Sequence, residues 1–204
     1  FYATKNLTTG EGGMLTTASD EGARFARIAG LHGMNRDAWA RYGPSGSPHY
    51  DVVMPGFKYN MMDLQAAIGL RQLAGLHRRL ARREAIWKLY DEGLADLPLT
   101  RPAPVAPFDV HARHLYTILV TPASGWSRDE LVCALAAHGI TTSIHFRALH
   151  LHPYYAERFG FVRGQFPEAE RVSDGVISLP LSGGMGEADA QRVVETIRHL
   201  VLRD

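Results

Sequence analysis

One cysteine, Cys133, is all the sulfhydryl chemistry the 204 residues contain, so no internal disulfide can form. That suits a reducing compartment, and the expected location is the cytoplasm. A charge surplus is also missing: 22 Lys and Arg stand against 21 Asp and Glu, a formal charge of +1. Nothing general then draws the chain to nucleic acid or to an anionic membrane, and any anion site must be local. No apolar run approaches the ~20 residues of a membrane span. The first residues lack the basic-then-apolar pattern of a secretory leader. Repeats and low-complexity tracts are absent as well. So is an initiator Met: the chain opens Phe1-Tyr2-Ala3-Thr4-Lys5. Informative residues are rarely placed at a fraying end, so a fragment, a cleaved product or half of a split chain is expected.

What is present is core-forming. Hydrophobic residues make up 46% and charged residues 21%, which excludes disorder. The length allows one large domain or two small ones. After a glycine-rich turn, Met14-Leu15-Thr16-Thr17 reads as a short strand. Ser19 or Asp20 can cap a helix over about residues 20–31. Residues 32–56 are rich in Gly, Pro, His and aromatics, a loop long enough to be functional or packed on a partner. Its Trp39, Tyr42 and Tyr50 are either dimer contacts or a cover for apolar surface.

From Asp63, the residues Leu64, Ala67, Ile68, Leu73, Leu76, Leu80, Ile86 and Leu89 fall at helical spacing. The helix should stop near Leu97-Pro98. Arg78, Arg79, Arg82 and Arg83 decorate its other faces; a solvated face is the simple reading, and a nucleic-acid patch does not suit the charge of +1. Pro98, Pro102, Pro104 and Pro107 form a stiff connector and a domain boundary. Beyond it come a strand (114–120), then a helix (127–138) opened by a Ser127/Glu130 capping box and closed by Gly139. A second strand (140–146), a helix (166–175), a short strand (176–179) and an amphipathic helix (187–202) follow. Alternating elements of this kind predict an α/β or α+β domain.

Lys5 admits two readings, a merely solvated lysine, which is the usual case near a chain end, or a nucleophile. A lysine amine crowded by small polar residues and glycines can attack carbonyls, as pyridoxal-phosphate chemistry requires. Other conspicuous residues are weaker. His145, His150 and His152 have a metal-like spacing, but no carboxylate or cysteine completes a set, and no metal site is expected. His111, Arg113 and His114 suit either a nucleotide phosphate or a solvated strand edge. Glu11 suits a residue orienting groups near a cofactor or a solvated turn. Cys133, inside a helix, reads as a small core residue.

Tyr2-Ala3-Thr4-Lys5-Asn6-Leu7-Thr8-Thr9-Gly10-Glu11-Gly12-Gly13 resembles the active-site segment of the DegT/StrS family of sugar aminotransferases. These are pyridoxal-phosphate enzymes of the aspartate-aminotransferase fold. Three further segments resemble the family in order. They are residues 55–67 (Pro-Gly-Phe-Lys-Tyr-Asn-Met-Met-Asp-Leu-Gln-Ala-Ala), Thr142–Phe146 with Leu149–Tyr155, and Phe166–Glu170 with Ser178–Leu181. The resemblance makes Lys5 the residue that bonds the cofactor. It makes Asn60 the contact to the cofactor phosphate of the neighbouring subunit, or else Lys58, where some members carry that asparagine. It puts His145 or His150 near the sugar.

It further implies residues 1–97 as the C-terminal part of a large cofactor domain and 98–204 as a small C-terminal domain. The partners implied are a nucleotide-linked keto sugar, an amino-acid donor such as glutamate, and a second copy in a homodimer with shared active sites. Family members are about twice this length, and their preceding half supplies most phosphate contacts, a ring-stacking aromatic and an acid for the pyridine nitrogen. The isolated chain is therefore expected to be inactive. Two alternatives stand beside this reading. One is an inactive truncated remnant or dimerisation fragment. The other is a sugar dehydratase, whose relatives replace the lysine with histidine; position 5 is Lys, which argues against it.

Overall fold

The computed structural model describes residues 1–35 and 50–202. It shows mixed helix and sheet, gathered in two compact units, Phe1–Leu76 and His77–Asp204.

Among the described residues, the first unit holds two helices, α1 (Asp20–Ala29) and α2 (Asp63–Ala74). Ser19 caps α1, its side chain accepting from the Gly22 amide at 3.1 Å. The expected strand at Met14–Thr17 does not form, and Met14 and Leu15 are exposed. A strand needs a neighbour for its amides and carbonyls, and no described residue pairs with this segment. Neither helix buries a residue: Leu64 is 69% exposed and Leu70 is 70% exposed. Trp39 and Tyr42 lie outside the described residues, and Tyr50 is exposed.

The segment read as one long helix is two. α2 stops at Gly75, and α3 (Leu76–Gly93) begins at the next residue. Glycine is the weakest helix former after proline, so the break falls where the sequence holds the helix least. α3 ends a turn before Pro98.

The second unit carries a three-stranded antiparallel sheet in the order β1 (Leu99–Thr100), β2 (Tyr116–Val120), β3 (Val176–Leu179). Tyr116 opposes Leu179, and Ile118 opposes Ile177. The core joins Ile86, Trp87 and Tyr90 of α3 to Tyr116 and Ile118 of β2, Ile177 of β3 and two helices, α4 (Arg128–Ala137) and α7 (Glu187–Leu202). Trp87, Tyr90 and Tyr116 meet edge to face, with Tyr116 4.7 Å from Trp87 and 5.0 Å from Tyr90, ring centre to ring centre. The Tyr90 hydroxyl donates to Pro180 O and that of Tyr116 to Asp91, both at 2.7 Å. Burial raises both hydroxyl pKa values, so neither ionises in ordinary buffers.

α4 begins with the capping box expected: the Ser127 side chain accepts from the Glu130 amide, and the Glu130 carboxylate accepts from Ser127 N at 2.9 Å. Gly139, with φ of 73°, follows the last turn. Cys133 is exposed, not in the core. Leu131 and Leu135 point α4 inward, and position 133 is about 200° round the helix from 131. The expected strand over 140–146 reduces to one bridge between Ser143 and Ser178.

Arg83 departs furthest from the solvated face assigned to the arginine run. It is buried, and its Nη1 donates to the carbonyls of Arg113, His114 and Leu181 at 3.0–3.2 Å. Burial, then the charge of Arg79, pulls its pKa down. Three orphan loop carbonyls gain a strong donor, which offsets the burial.

Two short helices follow, α5 (Pro153–Phe159) and α6 (Pro167–Gly175), and Glu170 of α6 ties the loop between them to His150 just before α5. Glu170 is only 6% exposed. It accepts from the amides of Gly164 (2.8 Å) and Phe166 (3.3 Å) and from His150 Nε2 (2.9 Å). Burial pushes the carboxyl upward, but the His150 and amide hydrogen bonds prevail, and it titrates below its ordinary value of 4.5.

Two expectations follow. An added Cβ at Gly93 would stand 2.5 Å from Val194 Cγ1 of α7. Gly93→Ala should therefore lower stability by about 1–2 kcal/mol in urea unfolding despite its better helix propensity. For Glu170 the native pKa is the depressed one, so its contribution is full above pH 4.5 and lost as pH falls through the lower native value. Glu170→Gln should be less stable than the native chain at pH 7. That gap should narrow below pH 4.5 in thermal melts at stepped pH; a constant gap would rule out an ionised Glu170.

Candidate active site

Lys5 lies on a loop folded back on itself. Tyr2 and Gly10 pair as a parallel bridge, and Thr9 N donates to Phe1 O at 3.0 Å. Lys5 N donates to Tyr2 O at 3.0 Å, a tight turn that puts the lysine at the loop's bend. The threonines hold the loop from inside: Thr8 Oγ1 donates to Phe1 O at 3.1 Å and accepts from Gly10 N at 3.0 Å. Thr9 is buried, and its hydroxyl donates to Glu11 O at 2.5 Å. Gln65 of α2 anchors the same carbonyl from Nε2 at 3.2 Å. The Thr-Thr-Gly-Glu run is thus the loop's internal scaffold. The Glu11 side chain is not needed for it; the Glu11 carbonyl is. Lys5 itself is on the exposed side.

Lys58 and Asn60 are brought together in the same unit. The segment 53–59 runs against the end of α1: His32 N donates to Phe57 O at 2.8 Å, Phe57 N to Ala29 O at 2.6 Å, and Tyr59 N to Gly30 O at 2.8 Å. Gly56 allows this approach, since a Cβ there would stand 2.1 Å from Gly33 N. Phe57 and Tyr59 stack on one face with ring centres 4.8 Å apart, so Lys58 and Asn60 share the opposite parity. Lys58 Nζ donates to Asn60 Oδ1. That contact takes the acceptor end of the amide and leaves the Nδ2 donors for an anion. A cleft of about 650 Å³ adjoins them, lined by Arg24, Arg27, Asn35, Tyr59 and Asn60 among others.

Each of these side chains is of a type that pyridoxal phosphate takes. A phosphate ester takes an ammonium and an amide N–H, which Lys58 and Asn60 supply. An aldehyde takes an amine on an accessible loop, which Lys5 supplies.

His145 and His150 belong to the second unit. His150 is buried against Phe166, ring centres 4.8 Å apart, and bonded to Glu170. Its placement is that of a brace between motif segments. His145 is half-buried, with Nδ1 2.8 Å from Ser178 Oγ. Arg113 is committed elsewhere: it makes a two-pronged pair with Glu84 at 2.6 and 2.9 Å and lies over the Trp87 ring. No group of three or more His, Cys, Asp or Glu among the described residues could hold a metal ion. No described helix is long and apolar enough to cross a membrane.

Sequence reasoning missed Glu170 and Ser178 as partners of the two histidines. Both stand inside motif segments that had been singled out, but nothing in the spacing pairs residues 20 and 33 apart.

Several known proteins share this sequence pattern and fold. The spore coat polysaccharide biosynthesis protein SpsC of Bacillus subtilis is 44% identical over 98% of this chain and 52% of its own length. Spr1654 of Streptococcus pneumoniae, classed as a sugar aminotransferase and solved in its PMP form, superposes with a TM-score of 0.84 at 32% identity over 100% of this chain and 52% of its own. Its PLP form gives 0.83 at 30% identity. The aminotransferase TlmJ of Streptoalloteichus hindustanus gives 0.80 at 28% identity over 97% of this chain and 49% of its own. The chain thus spans about half the length of the relatives it matches. The profile of one family covers residues 1–198, and the chain belongs to that family, the DegT/DnrJ/EryC1/StrS aminotransferases.

Proposed function

We propose that this chain is the lysine-bearing part of a longer aminotransferase that moves an amino group, from glutamate or a similar donor, to a nucleotide-linked keto sugar. The family depends on pyridoxal phosphate. The observation that carries the reading is the loop at Lys5, an exposed amine held at a bend by the Thr8–Thr9 scaffold. Lysine at position 5 supports amino transfer over sugar dehydration.

When bound, the cofactor supplies an aldehyde and an electron-withdrawing ring, which labilise a proton at the carbon that loses or gains the amino group. The chain's own residues do the rest. Lys5 Nζ would hold the cofactor and would move a proton to and from that carbon. Asn60 Nδ2, with Lys58 Nζ behind it, anchors the phosphate, in the neighbouring subunit's site by family resemblance. His145 donates to the sugar substrate, and His150 braces the segment that carries it.

The apolar side chains exposed on α2 support a role within a larger assembly, because a lone soluble unit rarely shows so many. On this reading the first unit completes a large domain, the second forms the small one with α3 in its core, the assembly is a cytoplasmic homodimer, and the isolated 204 residues do not turn over.

The test uses the complete polypeptide loaded with pyridoxal phosphate. Borohydride reduction should fix the cofactor mass on the peptide containing Lys5, read by mass spectrometry. Lys5→Ala should abolish transamination, a loss of at least ~10³-fold, while Asn60→Ala should weaken cofactor retention about tenfold, one lost charge-assisted hydrogen bond. Cofactor mass on a different lysine would sink the assignment.

A further inference from the structure

The second unit contains a buried hydroxyl, Ser178 Oγ beside the His145 ring, that no part of the reaction has yet used. Ser178 sits on β3, whose four residues are all buried, and is itself 3% exposed. Its backbone exchanges two hydrogen bonds with Ser143: Ser143 N donates to Ser178 O at 3.2 Å, and Ser178 N to Ser143 O at 2.7 Å. Its Cα partner on the opposite side is Thr117 of β2. Both strand neighbours therefore hold the residue, and its side chain has little freedom. Oγ stands 2.8 Å from His145 Nδ1. One residue, Ile144, separates Ser143 from His145, so the bridge at Ser143 also fixes where the imidazole starts.

The direction of that hydrogen bond follows from bookkeeping of hydrogens. A hydroxyl has one hydrogen to give. Among the described residues, the acceptor in reach of Ser178 Oγ is His145 Nδ1. If Nδ1–H donated instead, the buried hydroxyl hydrogen would have no acceptor, at the cost of desolvating it unpaired. Ser178 O–H therefore donates to Nδ1. A neutral imidazole whose Nδ1 accepts must carry its hydrogen on Nε2. The ring is half-buried and packed at a right angle to Phe146, with Nε2 as its remaining polar atom.

We propose that Ser178 is a positioning residue that locks His145 in its Nε2–H form, so that His145 meets the substrate as a hydrogen-bond donor to oxygen. The ligand groups it suits are the hydroxyl, keto or phosphate oxygens of the sugar nucleotide, not an ammonium or amide N–H. This rests on the reading of His145 as a substrate contact in a sugar aminotransferase. A neutral donor suits an acceptor whose charge does not change on binding. It also discriminates: a substrate analogue lacking the oxygen would leave the N–H unpaired.

The experiment takes the complete polypeptide with pyridoxal phosphate, labelled with ¹⁵N histidine. In the native protein the His145 Nδ1 signal should be that of an unprotonated nitrogen and Nε2 that of a protonated one. Ser178→Ala should mix the two forms and raise KM for the keto sugar about fivefold with little change in kcat or in cofactor bound at Lys5. A second pair of variants guards against a folding defect in β3. His145→Gln places an amide N–H near the Nε2 position and should keep KM within about threefold of native, whereas His145→Ala should raise it about tenfold. An unchanged tautomer in Ser178→Ala overturns the proposal. So does a mixed tautomer with native KM, which breaks the link to substrate. An active native enzyme with either result leaves the aminotransferase reading standing; a native protein that binds cofactor at Lys5 but transaminates no sugar nucleotide sinks that reading instead, while the ¹⁵N signals still decide whether Ser178 holds His145.

Discussion

The second unit depends on β3 being buried on every side. Four residues, Val176 to Leu179, have β2 along one edge and Ser143 along the other, with α3, α4 and α7 supplying the core. A strand in that position cannot leave a polar group unanswered, because water does not reach it. Ser178 is the only polar side chain in it, and its hydroxyl is answered by His145. Just upstream, α6 brings Glu170 under the same constraint, and it is answered by His150 and two amides. Both histidines of interest are thus placed by the need to satisfy a buried oxygen. Their positions are fixed by the fold before any ligand arrives, which is what a site must have if it is to cost little to assemble.

Arg83 obeys the same rule from the other direction. Its helix presents four arginines, and periodicity alone assigns them to the solvent. The structure pulls one inward because the loops at 113–114 and 181 end in carbonyls that no strand pairs. A guanidinium can serve several carbonyls with one rigid group, which lysine cannot do. Arg113 then swings to Glu84 and Trp87 on the outside of the same helix. Its guanidinium is spent on packing and is not left to meet a nucleotide.

Local rules were legible in the sequence wherever one element suffices to express them. The Ser127/Glu130 box, the helix at Pro167–Gly175, the buried run Val176–Leu179 and the final helix all appear within a residue or two of expectation. Pairing was not legible. Residues 14–17 and 140–146 have strand composition, but a strand exists only where another backbone lies beside it, and one of these segments gains a single bridge and the other none. The same holds for the site. The Lys5 loop closes through near neighbours, Tyr2 with Gly10 and Thr8 with Phe1, and could be read from its motif. Ser178 with His145 and Glu170 with His150 join distant segments and carry no signature of their own. Cys133 shows a milder form of the limit: its helix was foreseen, but which face it turned inward was decided by Leu131 and Leu135.

The two units differ in how completely they satisfy themselves. The second buries aromatic and aliphatic side chains on all its long elements, and its buried polar groups are largely paired. The first buries Thr9 and otherwise shows its apolar residues to solvent along α1 and α2. Its order comes instead from backbone hydrogen bonds: the ladder from α1 to residues 53–59, and the closed loop at Lys5. Such bonds, exposed to water and with little apolar burial behind them, open easily. The chemistry expected of Lys5 demands the opposite, since a nucleophilic amine works when its surroundings are dry and fixed. On the proposed reading Lys5 brings an amine on a loop that its own hydrogen bonds close. The same reading draws the burial that makes the amine reactive from surface packed over α1 and α2, for which the apolar side chains displayed there are a suitable complement.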